Sequence, residues 1–246
     1  ERITEVFDIK VGVPFLTELH AESERLIIRM AEDRLIEKDY QYVSVPSLLK
    51  KETFERQAHI TWNQVTRLEN YRSDEIGLSG SAEQGILELY TNSLMLKPLK
   101  LFATNQCFRD EPLLEGLKSV REFKKVEQFA FTTPEESSNV FEEFLANHTQ
   151  LISDLGLKYR WVDQTFLDRG YHKKKIDVEV LTSSFGWLET CSCAWFGTEQ
   201  ADRFDISGPA NNTVSCTTAA LPRLLIPLLE TYDKKTLEHI RSVIRT

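Results

Sequence analysis

No run of uncharged apolar residues approaches the length a membrane-crossing helix needs, and charged residues fill 28% of the 246 positions. A helical membrane anchor within the sequence is thereby excluded. Positive charge is not in excess either. The net charge is −8 and the isoelectric point about 5.3, which argues against a generally basic nucleic-acid coat but leaves room for a local patch. Cysteine is scarce and wrongly spaced for zinc: Cys191 and Cys193 are one residue apart, no histidine stands nearby, and Cys107 and Cys216 lie alone. Free, mostly buried thiols in a reducing compartment are expected, with no metal. No GxGxxG or GxxxxGK loop is present, nor the βαβ rhythm of a doubly wound fold. No repeat, low-complexity tract or Pro/Gly-rich linker divides the chain, so residues 1–246 read as one domain with a sizeable core. Any targeting peptide is expected to precede Glu1.

Against these absences stand several strongly patterned segments. Leu19, Leu26, Ile27, Met30, Leu35 and Ile36 fall on one stripe, which predicts a helix over residues 20–39, followed by a strand over 40–46 that stops at Pro46. Residues 53–57 suit a short helix. Strands are expected over 101–109 and 120–132, separated by a turn-like stretch. Thr133-Pro134-Glu135-Glu136 then reads as a capping box, opening a helix that ends at Gly156. Further strands are expected over 159–162, 176–181, 187–194 and 212–221, with an apolar helix over 224–232. Pro227 should kink that helix or delay its start, because an interior proline leaves a carbonyl unpaired and crowds the preceding turn. Strands clustered as hairpins with helices outside them give an α+β domain around a mostly antiparallel sheet.

The stretch richest in chemistry runs from Cys107-Phe108-Arg109-Asp110-Glu111 through a loop to Phe123-Lys124-Lys125-Val126-Glu127. An Arg and a Glu two residues apart at a strand end can face one cleft, the first holding a phosphate and the second accepting from an amine. Arg223, between a strand and a helix, could grip a second phosphate.

This stretch resembles motif 2 of the class II aminoacyl-tRNA synthetases, whose core is Phe-Arg-x-Glu, a loop, and a strand ending in Phe-x-x-Val-Glu. Residues 215–230 resemble motif 3, residues 20–46 resemble motif 1, and Gly80-Ser81-Ala82-Glu83 matches the Thr-Ala-Glu element of the seryl branch. The resemblance covers nearly the whole chain and implies a class II synthetase catalytic-domain fold, with a six- or seven-stranded antiparallel sheet and dimerisation through motif 1. It also implies remnant ATP positions at Arg109 (α-phosphate), Glu111 (adenylate) and Arg223 (γ-phosphate). Remnant amino-acid and metal-site positions fall at Glu83, Glu179 and Glu189. The family's N-terminal tRNA-binding arm is expected to lie outside this chain.

Several positions depart from the family pattern. Where its motif 2 loop carries two arginines, this chain has Glu115 and Ser119, and a carboxylate near a triphosphate adds repulsion. After Glu189 the pattern's Asn has become Trp195, expected to fill the serine pocket, and its Asp has become Thr198. Asp202 replaces the first of two arginines, and Ser215 stands for a motif 3 Asn. These losses imply a pseudoenzyme with no cofactor and no catalytic residue. In this it resembles the seryl-tRNA synthetase-like insect mitochondrial protein family, degenerate paralogues of mitochondrial seryl-tRNA synthetase. That resemblance implies a mitochondrial matrix location, binding to tRNA(Ser), and pairing with mitochondrial seryl-tRNA synthetase or with itself. An active, divergent serine-tRNA ligase, a ligase for another small acid, and a purely structural mitochondrial scaffold are the alternatives. Two basic clusters, Lys118, Arg121, Lys124 and Lys125, and Lys173 to Lys175, are candidate RNA contacts beside the reading of a solvated face.

Overall fold

Strand β6 (Glu122–Thr132) pairs along its length with β5 (Leu99–Phe108) on one side and β10 (Asn212–Leu221) on the other. In this computed structural model, which describes residues 12–57, 62–68, 75–110, 115–166 and 171–245, these strands belong to a sheet of seven. The others are β1 (Gln41–Tyr42), β7 (Tyr159–Asp163), β8 (Lys174–Thr182) and β9 (Gly186–Gly197), in the order β1-β5-β6-β10-β9-β8-β7. Every pairing is antiparallel except β1 on β5. The strand expected over residues 40–46 is thus reduced to two residues and runs parallel. Val43 still donates to the Phe102 carbonyl at 2.9 Å, and beyond it Pro46 has no N–H to offer a ladder.

One face of this sheet carries the main core. Helix α1 (Glu18–Glu37) buries Leu26, Ile27, Met30, Ala31 and Leu35, and α4 (Ser137–Asp154) buries Phe141, Phe144, Leu145, Leu151 and Ile152. They pack over Val126, Val178, Val214 and Cys216 from the strands, with α6 (Leu225–Tyr232) and Ile240 of α7 (Thr236–Ile244) completing the layer. Helix α1 stops because Asp39 takes a left-handed φ of 62°. The Asp39 N–H returns to the Ile36 carbonyl and the Tyr40 N–H to the Leu35 carbonyl, both at 3.0 Å. Helix α4 begins later than the capping pattern indicated. Residues 133–136 form a turn in which the Thr133 hydroxyl bonds the Glu136 carboxylate at 3.0 Å, and the exit at Gly156 (φ 70°) is as expected.

The other face carries a smaller layer. A three-stranded sheet, β2 (Leu48–Lys50), β4 (Ile76–Leu78) and β3 (Thr66–Arg67) in that order, lies near α2 (Lys51–Gln57), α3 (Ala82–Leu89) and α5 (Glu199–Arg203). Ile86, Leu87, Phe129, Phe131, Phe204 and Ile206 form its apolar centre. Neither this sheet nor α3 is evident from periodicity, because the strands are too short to alternate and Gly85 weakens a helical pattern. Glycine is required there: a Cβ at residue 85 would stand 2.6 Å from Val45 Cβ.

Between α4 and the sheet, His148 is fully buried, with Nδ1 2.9 Å from the Thr218 carbonyl and Nε2 3.2 Å from Thr190 Oγ1. Burial pushes its pKa from 6.5 down to about 4, against the opposing pull of the Thr218 bond. The unfolded chain therefore takes up this proton first. Stability is full above pH 6.5 and declines by about 3 kcal/mol as pH falls to 4. Asp177 has the opposite sign: burial, then the charge of Glu189, raises its pKa from 3.8 to about 6, so it regains stability over the same descent. In urea unfolding measured from pH 7 to pH 4, His148→Gln is expected to flatten the acid limb and Asp177→Asn to steepen it. An acid limb unchanged in both variants would contradict this assignment.

Candidate active-site cleft

Strand alternation sets which side chains face the cleft, on the sheet face away from α1, α4 and α6. Phe123, Lys125 and Glu127 project there from β6, Ser192, Ala194 and Phe196 from β9, and Ser215 and Thr217 from β10. The cleft divides into two cavities of about 90 Å³ each, which share Arg109, Lys125 and Ser192.

The first cavity gathers Arg109, Glu189 and Arg223. Arg109 follows β5, its N–H held by the Arg121 carbonyl at 2.9 Å and its guanidinium 5.3 Å from the Phe123 ring centre. Arg223 donates from Nε to the Lys118 carbonyl at 2.9 Å and from Nη1 to the Glu189 carbonyl at 3.2 Å, tying the loop before β6 to β9. Pro227 falls in the first turn of α6, and the Ile226 N–H takes the Arg223 carbonyl at 3.1 Å. The late start expected of this helix is therefore observed. Glu115 does not stand bare toward a ligand, because Lys118 pairs with it at 2.5 Å. The Ser119 carbonyl accepts the Glu115 N–H at 3.4 Å. Glu111 lies outside the described residues.

The second cavity centres on Glu83, buried at the start of α3, where Ser81 caps the helix by accepting the Glu83 N–H. Both carboxyl oxygens are engaged. Oε1 accepts from Gln57 and, at 2.7 Å, from Gln200, and Oε2 accepts from Ser215 at 2.5 Å. Gln200 is held in turn by Thr213 Oγ1 at 2.8 Å. Glu127, 2% exposed, pairs with Lys125 at 2.5 Å and accepts from Ser81 at 2.8 Å. Burial works against the Lys125 charge, and Glu127 outweighs it, holding the ammonium above its ordinary range. Tyr171 and His172 close the far wall, Tyr171 donating to the Gln57 carbonyl at 2.6 Å and its ring packed edge-on against Phe196. Sequence reasoning did not single out Gln57, Tyr171 or His172. Nor did it single out Gln200.

Trp195 does not fill this cavity. It lies one residue out of phase with Ala194 and Phe196, on the opposite face of β9. There it packs against the main core and donates to Asn212 Oδ1 at 3.4 Å. Trp195→Asn is therefore expected to leave serine binding unchanged and to lower stability by about 2 kcal/mol through lost burial. Calorimetry with serine beside urea unfolding checks both, and a gain in serine affinity would contradict the placement. Thr198 is also away from the cavities, its hydroxyl bonded to Asp202 at 2.7 Å.

Glu179 stands opposite Glu189 across β8 and β9, but it is committed to Arg160 at 2.6 Å. Among the described residues no group of three His, Cys, Asp or Glu is placed to hold a metal ion. The basic clusters are largely neutralised by acids: Lys124 pairs with Glu24, Lys125 with Glu127, and Lys174 with Glu142.

Comparison with known proteins gives the family and the fold. The serine–tRNA ligase of Akkermansia muciniphila is 30% identical over 239 residues, covering 87% of this chain and 54% of that protein. The mitochondrial serine–tRNA ligase of Bos taurus is 29% identical over 233 residues, covering 85% of this chain and 44% of that protein. The chain thus spans about half the length of the curated relatives it matches. Among solved structures, a seryl-tRNA synthetase from Pyrococcus horikoshii complexed with ATP superposes with a TM-score of 0.86 at 24% identity, over 99% of this chain and 61% of that one. At that identity the likeness shows the fold. Residues 66–232 match the model for the tRNA synthetase class II core domain (G, H, P, S and T), and the chain belongs to that family.

Proposed function

We propose that this chain is the core of a non-catalytic, seryl-tRNA synthetase-like protein of the mitochondrial matrix, a degenerate paralogue of mitochondrial seryl-tRNA synthetase. In this reading it binds tRNA(Ser), pairs with the genuine enzyme or with itself, and supports mitochondrial translation. A tRNA-related role is supported by the family and by relatives named as serine–tRNA ligases. The observation that carries the non-catalytic reading is the state of Glu83. The side chain matched to the substrate's amine has both oxygens turned inward to Gln57, Gln200 and Ser215. An amine entering this cavity would have to displace bonds that already satisfy buried groups, and that displacement weakens binding. Pairing is supported by a groove of about 880 Å³ between α1 and strands β5 and β6, where Leu16, Ile28, Phe123 and Pro222 stand among charged residues such as Arg25, Arg29 and Glu32, at the motif 1 position.

A second reading, a divergent but active serine-tRNA ligase, is favoured by the gathering of Arg109, Arg223 and Glu189 around one cavity. Calorimetry with ATP, alone and with serine, separates the two. The non-catalytic reading expects no saturation at micromolar ATP, and saturable binding there would restore the active ligase. A gel shift with tRNA(Ser) separates an RNA binder from a structural scaffold.

A further inference from the structure

Within the second cavity, two nitrogens are left over. Arg109 Nε and His172 Nε2 are both buried and meet no hydrogen-bond partner among the described residues, and both residues line the cavity. His172 is 8% exposed. A buried ring nitrogen without a partner costs free energy unless something accepts from it. Of the carboxylates in the walls, both oxygens of Glu83 are taken by Gln57, Gln200 and Ser215, and Glu127 Oε2 by Lys125 and Ser81. The position matched to an amine is thus filled, and two nitrogens without an acceptor remain. Charge points the same way. Lys125 and Glu127 pair with each other, which leaves Arg109 and Lys175 beside Glu83 and so favours a ligand of one negative charge.

We infer that this cavity takes a small monocarboxylate carrying no amino group, its oxygens accepting from Arg109 Nε and from His172 Nε2 in the N–H tautomer. The inference rests on the reading of the chain as non-catalytic and gives the retained cavity a ligand class of its own. Ligand recognition passes from Glu83, which is sealed into the fold, to His172, which no motif marks. A carboxylate with a hydroxyl on the adjacent carbon suits the remaining polar wall, because Ser192 also lines the cavity.

Glycerate is the decisive probe, being serine with a hydroxyl in place of the amine. Calorimetry of the purified protein with glycerate, serine, serinol and inorganic phosphate is expected to show glycerate bound at least tenfold more tightly than serine. Serinol should not bind, and phosphate should bind more weakly than glycerate. His172→Leu should weaken glycerate at least tenfold, and His172→Gln, which keeps a donor, should retain more of the affinity. Thermal unfolding of both variants checks that they fold, and Gln carries the test if Leu does not. Serine bound as tightly as glycerate, with serinol also binding, would overturn both this inference and the non-catalytic reading. Phosphate bound more tightly than glycerate, equal affinity in the His172 variants, or no glycerate binding would overturn this inference alone. The ATP titration would still decide the other.

Discussion

Glu83→Ala is expected to lower the stability of this domain by about 4 kcal/mol, and its melting temperature by about 10 °C. The size follows from what the side chain holds. Gln57, Gln200 and Ser215 all donate to it from buried positions, so truncation leaves three donors without an acceptor. Each orphaned buried donor costs about 1–3 kcal/mol, and partial access of water reduces the total. Glu83→Gln keeps the shape but brings a donor against donors, and should cost about half as much. A residue kept for its substrate behaves differently, since removing it from an active site commonly leaves stability unchanged or raised. Thermal unfolding of both variants therefore shows which role Glu83 has. An unchanged or raised melting temperature would place it back in the ranks of substrate-binding groups.

The second expected result is a gain. Glu115→Arg combined with Ser119→Arg should raise affinity for ATP by about a hundredfold, measured by calorimetry against the parent protein. The two arginines restore charge-assisted bonds worth about 1.5 kcal/mol or more each. They also remove a carboxylate that now occupies Lys118, freeing that ammonium beside Arg223, whose Nε already holds the Lys118 carbonyl. Serine-dependent chemistry should stay absent in this variant, because Glu83 remains sealed. Unchanged ATP affinity would contradict the proposed effect of Glu115 and Ser119 on nucleotide binding.

How much of this could be read from the residues depends on length scale. Strands of nine residues or more, such as β6 and β10, announce themselves by alternation. So does α4 by its Val140, Phe141, Phe144, Leu145, Leu151 and Ile152 stripe. The strands β2, β3 and β4 run two or three residues each and carry no period, so the small sheet beside the cleft was invisible. The family motifs located Arg109, Glu83 and Arg223, which the fold does bring to one cleft. Trp195 was misplaced because a residue-by-residue comparison has no direction, whereas a strand assigns neighbours to opposite faces. His172 and Gln57 were missed for a related reason. Each comes from a segment distant in sequence, and only packing brings them to the same cavity.

The proposal that this chain does not carry out the synthetase reaction is tested most directly by pyrophosphate exchange. Incubated with ATP, serine and radiolabelled pyrophosphate, the purified protein is expected to incorporate no label into ATP above the level without serine. Serine-dependent incorporation that is lost in Arg109→Ala would contradict the non-catalytic reading and establish a divergent serine-tRNA ligase.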